Sequence, residues 1–296
     1  MASSAPKPQL DTSALAEMYS VMNRQGSYQN ASGLKLVEML DIHKGQTVVD
    51  LGCGTGELTR HITTIVGEYG RVVGIDPSAD RIEKARSLSH ADTEGPSSQA
   101  TATPVVYLVG AAEDAETVLL EGEHAQNIDG EFRADVVIMN SVFHWIENKS
   151  KALKGVFNIL AEDGKLGISG GLSDLWSPMD IRKAVLSRSP FSEHPIEGLA
   201  HYVSSAEMVE LLESTGFRGH HREFVERERT FESVEAFVKF CEASTSGQFL
   251  HVDYLPEELR MRAREAIRKE CESLRQGDGP EVVIKATLAI WVASEE

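Results

Sequence analysis

The strongest constraint on this chain is a run of alternating glycines directly behind a short apolar strand. Thr47–Leu51 (TVVDL) reads as a buried strand. Asp50-Leu51-Gly52-Cys53-Gly54-Thr55-Gly56 then leads into a helical stretch over Gly56–Val66, where Leu58, Ile62 and Ile65 recur at helical spacing. Glycine tolerates positive φ and lets a ligand approach the backbone closely. The start of the next helix offers free N–H groups to a polar or anionic ligand end. A dinucleotide fingerprint spaces its glycines G-x-G-x-x-G around a pyrophosphate. Here the spacing is G-x-G-x-G, with Asp50 two residues ahead of Gly52. A carboxylate in that turn repels a pyrophosphate and suits the ammonium of an amino-acid moiety. A tight turn with no ligand would use the same glycines.

The next motif is in phase with the first. Arg71–Ile75 reads as a second strand, and Asp76 closes it 20 residues after Gly56. A carboxylate there can accept both ribose hydroxyls of a nucleoside and would repel a 2′-phosphate. Ser78 is available to cap the helix over Ala79–Leu88, which Pro77-Ser78 opens. Further strands are expected at Pro104–Val109, Ala134–Met139 and Lys165–Ser169, with a helix over Lys149–Leu160 between the last two. Strands alternating with helices give an α/β fold with a doubly wound parallel sheet.

After Gly171 the rhythm changes. Leu175–Leu186, Ser204–Thr215, Phe231–Ala243 and Glu257–Leu274 read as helices, and Gly216–Phe224 and Val282–Ala293 as strands. The expected organisation is an N-terminal leader and lid over 1–30, a ligand-binding core over 31–171, and a mostly helical cap with the last two strands over 172–296.

Composition narrows the partners. Among 296 residues, 29 Lys+Arg against 46 Asp+Glu leave a formal charge of −17, the wrong sign for phosphate neutralisation. Nucleic acid and anionic membrane surfaces are therefore not expected. Ala91–Asp135 holds ten acids and one base, Arg133, and reads as solvated loops that include a polar insertion at Asp92–Thr103. No run of 18 apolar residues occurs, and the first residues lack the apolar block of a signal peptide. Three cysteines, Cys53, Cys241 and Cys271, show no metal-like spacing. They fit a reducing, cytoplasmic setting with no metal cofactor.

The runs VVDLGCGTGELTRHI and VVGIDPSADRIEKA, followed by Gly110-Ala111-Ala112-Glu113-Asp114 and Asn140-Ser141, resemble the class I S-adenosylmethionine-dependent methyltransferases. The likeness covers roughly residues 30–171 and implies a seven-stranded, Rossmann-like sheet. It implies S-adenosyl-L-methionine as cofactor and S-adenosyl-L-homocysteine as product. By resemblance, Asp50, Gly52 and Gly54 hold the methionine part, Asp76 the ribose, and Ala112 and Glu113 the adenine. Gly56, Pro77 and Asn140 complete the set, and Asp114 competes with Glu113.

The stretch Met139–Ile146 leaves the fourth strand for the crevice where such sheets bind ligands. On chemistry alone, Trp145 is either a hydrogen-bond donor to a carboxylate or a core aromatic, and His144 either a base or a packed turn residue. Phe143-His144-Trp145-Ile146-Glu147-Asn148, together with His201-Tyr202, resembles the juvenile hormone acid, trans-aconitate and malonyl-carrier methyltransferases, which esterify carboxylates. That resemblance makes Trp145, Tyr19 and Gln25 acceptor-binding candidates for a small organic acid, with His144 and Trp145 as catalytic candidates, while Trp176 and Tyr202 are substrate-binding candidates as aromatics that could line an apolar pocket. Phe191, Phe237, Phe240 and Phe249 either line an apolar pocket or pack the cap. The alternatives are an N- or phenol O-methyltransferase with His144 as base, and a non-catalytic nucleoside-binding subunit.

Overall fold

The computed structural model describes residues 17, 28–93, 105–121, 132–197, 200–245, 247–277 and 279–295. The strands are β1 (Thr47–Leu51), β2 (Arg71–Asp76), β3 (Val105–Val109), β4 (Ala134–Asn140), β5 (Leu160–Gly170), β6 (Gly219–Phe231) and β7 (Val282–Ser294). They form one seven-stranded sheet in the order β3-β2-β1-β4-β5-β7-β6. The pairs among β1 to β5 are parallel, and β7 runs antiparallel to β5. The α/β, doubly wound sheet expected from the alternating pattern is present, with β7 making it mixed.

The central strands are mostly apolar because both faces are covered, with Asp50 and Asp76 standing at or beside the C-terminal ends of β1 and β2. Along β1, Val48 packs with Leu36, Leu40 and Ile62 on one face, while Val49 packs with Leu119, Leu153 and Val156 on the other. The helices are α1 (Tyr28–Leu40), α2 (Glu57–Val66), α3 (Ala79–Thr93), α4 (Ala115–Glu121), α5 (Lys149–Ile159), α6 (Pro178–Leu186), α7 (Ser205–Thr215), α8 (Val234–Ser244) and α9 (Glu257–Cys271).

Several boundaries differ from the sequence reading. Leu160 belongs to β5, not to the preceding helix: it pairs with Ala134, and a register shift follows before Val136 meets Lys165. The acidic stretch read as loops contains α4, whose Ala115 and Leu119 are buried. Helix α1 had no counterpart in that reading. β6 begins three residues later than expected, because Gly216 ends α7 at φ 113. It then continues through Phe231, and α8 starts only after Ser233, whose Oγ accepts the Ala236 N–H at 3.1 Å. Helix α6 starts at Pro178, behind a capping box between Ser177 and Asp180. The insertion expected at Asp92–Thr103 lies almost wholly outside the described residues.

Two compact units are present. The larger takes in Asn23–Leu175, His201–Val225 and Thr287–Glu296; the smaller takes in Trp176–Ala200 and Glu226–Ala286. In the smaller unit Phe237 stacks edge-on with Phe231 and Phe249, and both Phe237 and Phe249 are fully buried. There Arg182 is buried and donates to the carbonyls of Glu197 and His251 at 3.0 and 2.7 Å.

Candidate active site

The glycine bend is shaped by its own chain. Gly52, Gly54 and Gly56 all sit at positive φ, 72, 57 and 81°. A Cβ on Gly52 would lie 2.2 Å from Val142 Cγ2, and one on Gly56 would lie 2.5 Å from Tyr107 Oη. The N–H groups of Gly52 and Cys53 both donate to the Ile75 carbonyl, at 2.6 and 3.0 Å, which ties the bend to β2.

Two carboxylates flank it. Asp76 is 4% exposed. Its Oδ2 accepts the Gly54 N–H and its Oδ1 the Ser78 N–H, each at 2.9 Å. Ser78 does cap α3, accepting the Arg81 N–H at 3.3 Å, but Asp76 shares the turn instead of being released from it. Pro77 beside it is exposed. Asp50 is 2% exposed and accepts the Thr59 hydroxyl at 2.6 Å. Burial pushes its pKa up to about 6, against the pull of Thr59 and with a further push from Asp76. Among the described residues no lysine or arginine forms an ion pair with Asp50. A buried carboxylate in this state is short of a cation, which a ligand's ammonium would supply.

Beyond β3, Ala112 is buried in a 3-10 turn, Ala112–Asp114. The Glu113 Oε1 accepts the N–H groups of Glu147 and Asn148 at 3.2 and 3.5 Å, clamping the far end of the loop after β4. Asp114 pairs with Lys151 at 2.7 Å. At the end of β4, the Asn140 Oδ1 accepts hydroxyl donors from Ser169 at 2.5 Å and Ser32 at 3.2 Å, so α1 and β5 meet there.

The chain then turns through Ser141 at φ 60 into the 3-10 turn Phe143–Trp145. His144 lies flat against Tyr202 and beside Trp145. Burial, and to a lesser degree the Lys149 charge, push its pKa down to about 3. Lys149 is 6% exposed; its Nζ donates to the Ile146 carbonyl at 2.6 Å and lies 5.3 Å over the Phe143 ring. Burial lowers its pKa, opposed by Glu113. An open cleft of about 1250 Å³ lies alongside, lined by Glu113, Lys149, Lys151, His201, Tyr202 and Glu207 among others.

The structure therefore brings Asp50, the three glycines, Asp76, Ala112, Glu113, Asn140, His144, Trp145 and Tyr202 into one unit, around the C-terminal ends of β1 to β4. Trp176 is 40% exposed and belongs to the smaller unit, as do Phe191, Phe237, Phe240 and Phe249. Tyr19 and Gln25 lie outside the described residues. Sequence reasoning missed Thr59, Val142 and Lys149. Lys149 carried a signal: a lysine at the first position of a helix opposes the helix dipole, so something other than helix stability holds it there. Among the described residues no group of His, Cys, Asp and Glu is arranged to hold a metal, and no helix is long and apolar enough to cross a membrane.

A family model described as a methyltransferase domain matches residues 22–222. The arsenite methyltransferase of Mus musculus is 29% identical over 46% of this chain and 33% of its own length. The ubiquinone/menaquinone biosynthesis C-methyltransferase of Haemophilus ducreyi is 27% identical over 44% of this chain and 43% of its own. The chain thus spans less than half the length of these curated relatives. The crystal structure of the YcgJ protein of Bacillus subtilis superimposes with a TM-score of 0.55 at 14% identity, covering 90% of this chain and 99% of that one, which is a likeness of fold.

Proposed function

The chain belongs to the methyltransferase domain family, and from that membership we propose an S-adenosylmethionine-dependent methyltransferase whose acceptor is the carboxylate of a small organic acid. The cofactor, S-adenosyl-L-methionine, would supply an electrophilic methyl group on a sulfonium sulfur and leave as S-adenosyl-L-homocysteine. The buried, cation-poor Asp50 and the glycine bend fit its methionine end. Asp50, Gly52, Gly54 and Gly56 would hold that end, Asp76 and Pro77 the ribose, and Ala112 and Glu113 the adenine. Asn140 would complete the donor side.

The observation that carries the carboxylate reading is the buried Lys149 at the cleft, on the same stretch of chain as His144. A carboxylate is already ionised at pH 7, so no base is required. A buried positive charge nearby favours an anion over a neutral phenol or an ammonium. The chain's own contribution is alignment and exclusion of water. Trp145 would donate its indole N–H to one carboxylate oxygen. The likeness of the Phe143–Asn148 run to carboxyl methyltransferases supports the same reading. An imidazole with a pKa of about 3 makes a weak base, which counts against the amine and phenol alternative. A cytoplasmic setting goes with this proposal.

Isotopically labelled methyl donor offered with a panel of hydrophobic and tricarboxylic acids tests it. Ester formation with at least one acid is expected. Transfer to amines or phenols, with none to acids, overturns it.

A further inference from the structure

The segment His201–Val203 is laced to the loop that follows β4 and to the chain just after β5. The His201 N–H donates to the His144 carbonyl at 2.6 Å, and the Ser173 N–H to the Val203 carbonyl at 2.8 Å. Between these bonds the Tyr202 ring lies on the His144 imidazole, centroids 5.0 Å apart and planes 10° from parallel. Gly171 leaves room for the stack, since a Cβ there would come within 3.1 Å of Tyr202 Cε1, and Gly170 lies beside His144 Nδ1, which a Cβ there would meet at an ordinary 3.5 Å. The Trp145 ring closes another side at 4.9 Å, tilted by 51°. Nδ1 is buried without a hydrogen-bond partner among the described residues. A buried polar nitrogen left unpaired costs free energy and is kept only where packing dictates the orientation. This imidazole is therefore aimed by its aromatic cover and not by a hydrogen bond.

We propose that Tyr202 is a positioning residue: by stacking on His144 it holds the imidazole with Nδ1 toward Gly170 and presents the Nε2–H as a hydrogen-bond donor to the acceptor. The carboxylate reading enters only in naming that acceptor; the stack and the tautomer belong to the free protein. Among the described residues the charged and titratable groups that face this stretch are Lys149 on the stretch itself, whose charge acts on the imidazole, Glu113 from the turn after β3, which accepts the Glu147 and Asn148 amides, and His201 and Tyr202 from the facing segment. Ser169, Gly170 and Gly171 at the end of β5 bring none. Burial keeps the ring uncharged, and Lys149 adds to the effect. Removing the tyrosine ring admits water and removes the larger of these two influences.

Long-range proton–nitrogen NMR of the 15N-labelled protein between about pH 5 and 8 tests this, because an unperturbed histidine titrates in that range. His144 is assigned by its loss in His144→Gln. The expected wild-type pattern is protonated Nε2, unprotonated Nδ1 and no titration. Tyr202→Phe should keep that pattern, because the stack needs the ring and not the hydroxyl. Tyr202→Ala should shift His144 into the titrating range and average its two tautomers. Tyr202→Leu, closer in volume, should do the same and stands in if the alanine variant fails to fold by circular dichroism. A wild-type His144 that titrates, an Nδ1–H tautomer, or an unchanged pattern in the folded alanine or leucine variant overturns the proposal. None of these readouts depends on which acceptor is methylated, so a failed acid panel would leave this result standing and would be recognised separately.

Discussion

The Asp76 carboxylate reaches from the end of β2 to the backbone N–H of Gly54 at 2.9 Å. One side chain thereby holds the bend after β1 and would also face the ribose of a bound nucleoside. Asp76→Ala should weaken binding of S-adenosyl-L-homocysteine by roughly 1–3 kcal/mol, the usual cost of losing a charge-assisted hydrogen-bond partner. Isothermal titration calorimetry measures it. Unchanged affinity would remove Asp76 from the donor site.

Asp50 sets a pH dependence. Its pKa in the folded chain is about 6, above the ordinary 3.8, so between those values the native state holds a proton that the unfolded state has released. The protonation contribution to stability is therefore full below pH 3.8 and falls as pH rises through about 6. Its size is about 3 kcal/mol at most. Urea titrations of wild type and Asp50→Asn should converge in relative stability as the medium is made acidic and diverge, with wild type losing, toward neutrality. Donor affinity should run the other way and weaken below about pH 6, because an ammonium needs the ionised carboxylate. A flat affinity profile across that range would contradict the pairing.

Gly52 combines two constraints that mutagenesis can separate. A Cβ there would collide with Val142 at 2.2 Å, and the residue sits at φ 72. Gly52→Ala should cost about 3 kcal/mol, from overpacking and left-handed backbone together. Adding Val142→Ala should recover the steric part and leave roughly 1–2 kcal/mol of backbone cost. Thermal melting of the two variants and of Val142→Ala alone closes the cycle. Full additivity would mean that the two residues do not touch.

Trp145 and His144 should differ in kind when truncated. Under the carboxylate reading, Trp145→Ala should lower kcat/KM more than a hundredfold, about 3 kcal/mol of transition-state stabilisation. His144→Ala should cost on the order of tenfold, one hydrogen bond from an uncharged donor to the carboxylate, and leave the pH–rate profile above pH 5 unchanged. Steady-state kinetics on the best acid of the panel reads both. A His144→Ala variant that loses nearly all activity along with an ascending pH limb would restore the imidazole as a base.

Much of the candidate site's geometry was legible in the chain. Strand–glycine–helix order and the apolar runs of β1, β2 and β4 are consequences of a sheet buried on both faces, where most interior positions must be apolar and every exit must turn sharply. Helix α4 was hidden because it is only seven residues long within an acidic stretch, with Ala115 and Leu119 buried and Val118 packed against the core. The start of β5 was hidden because Leu160 looks like the last apolar residue of a helix until its pairing with Ala134 is seen.

The sequence alone determined the sheet, the positive-φ bend and the two acids beside it, since each follows from rules that act within a few residues. Only the tertiary structure decided what those groups touch. Among the described residues Asp50 forms no ion pair with a lysine or arginine, Glu113 holds the Glu147 and Asn148 amides, and Tyr202 covers His144 from 58 residues further along the chain. The protonation states follow from those contacts, because burial and neighbouring charge depend on segments far apart in sequence.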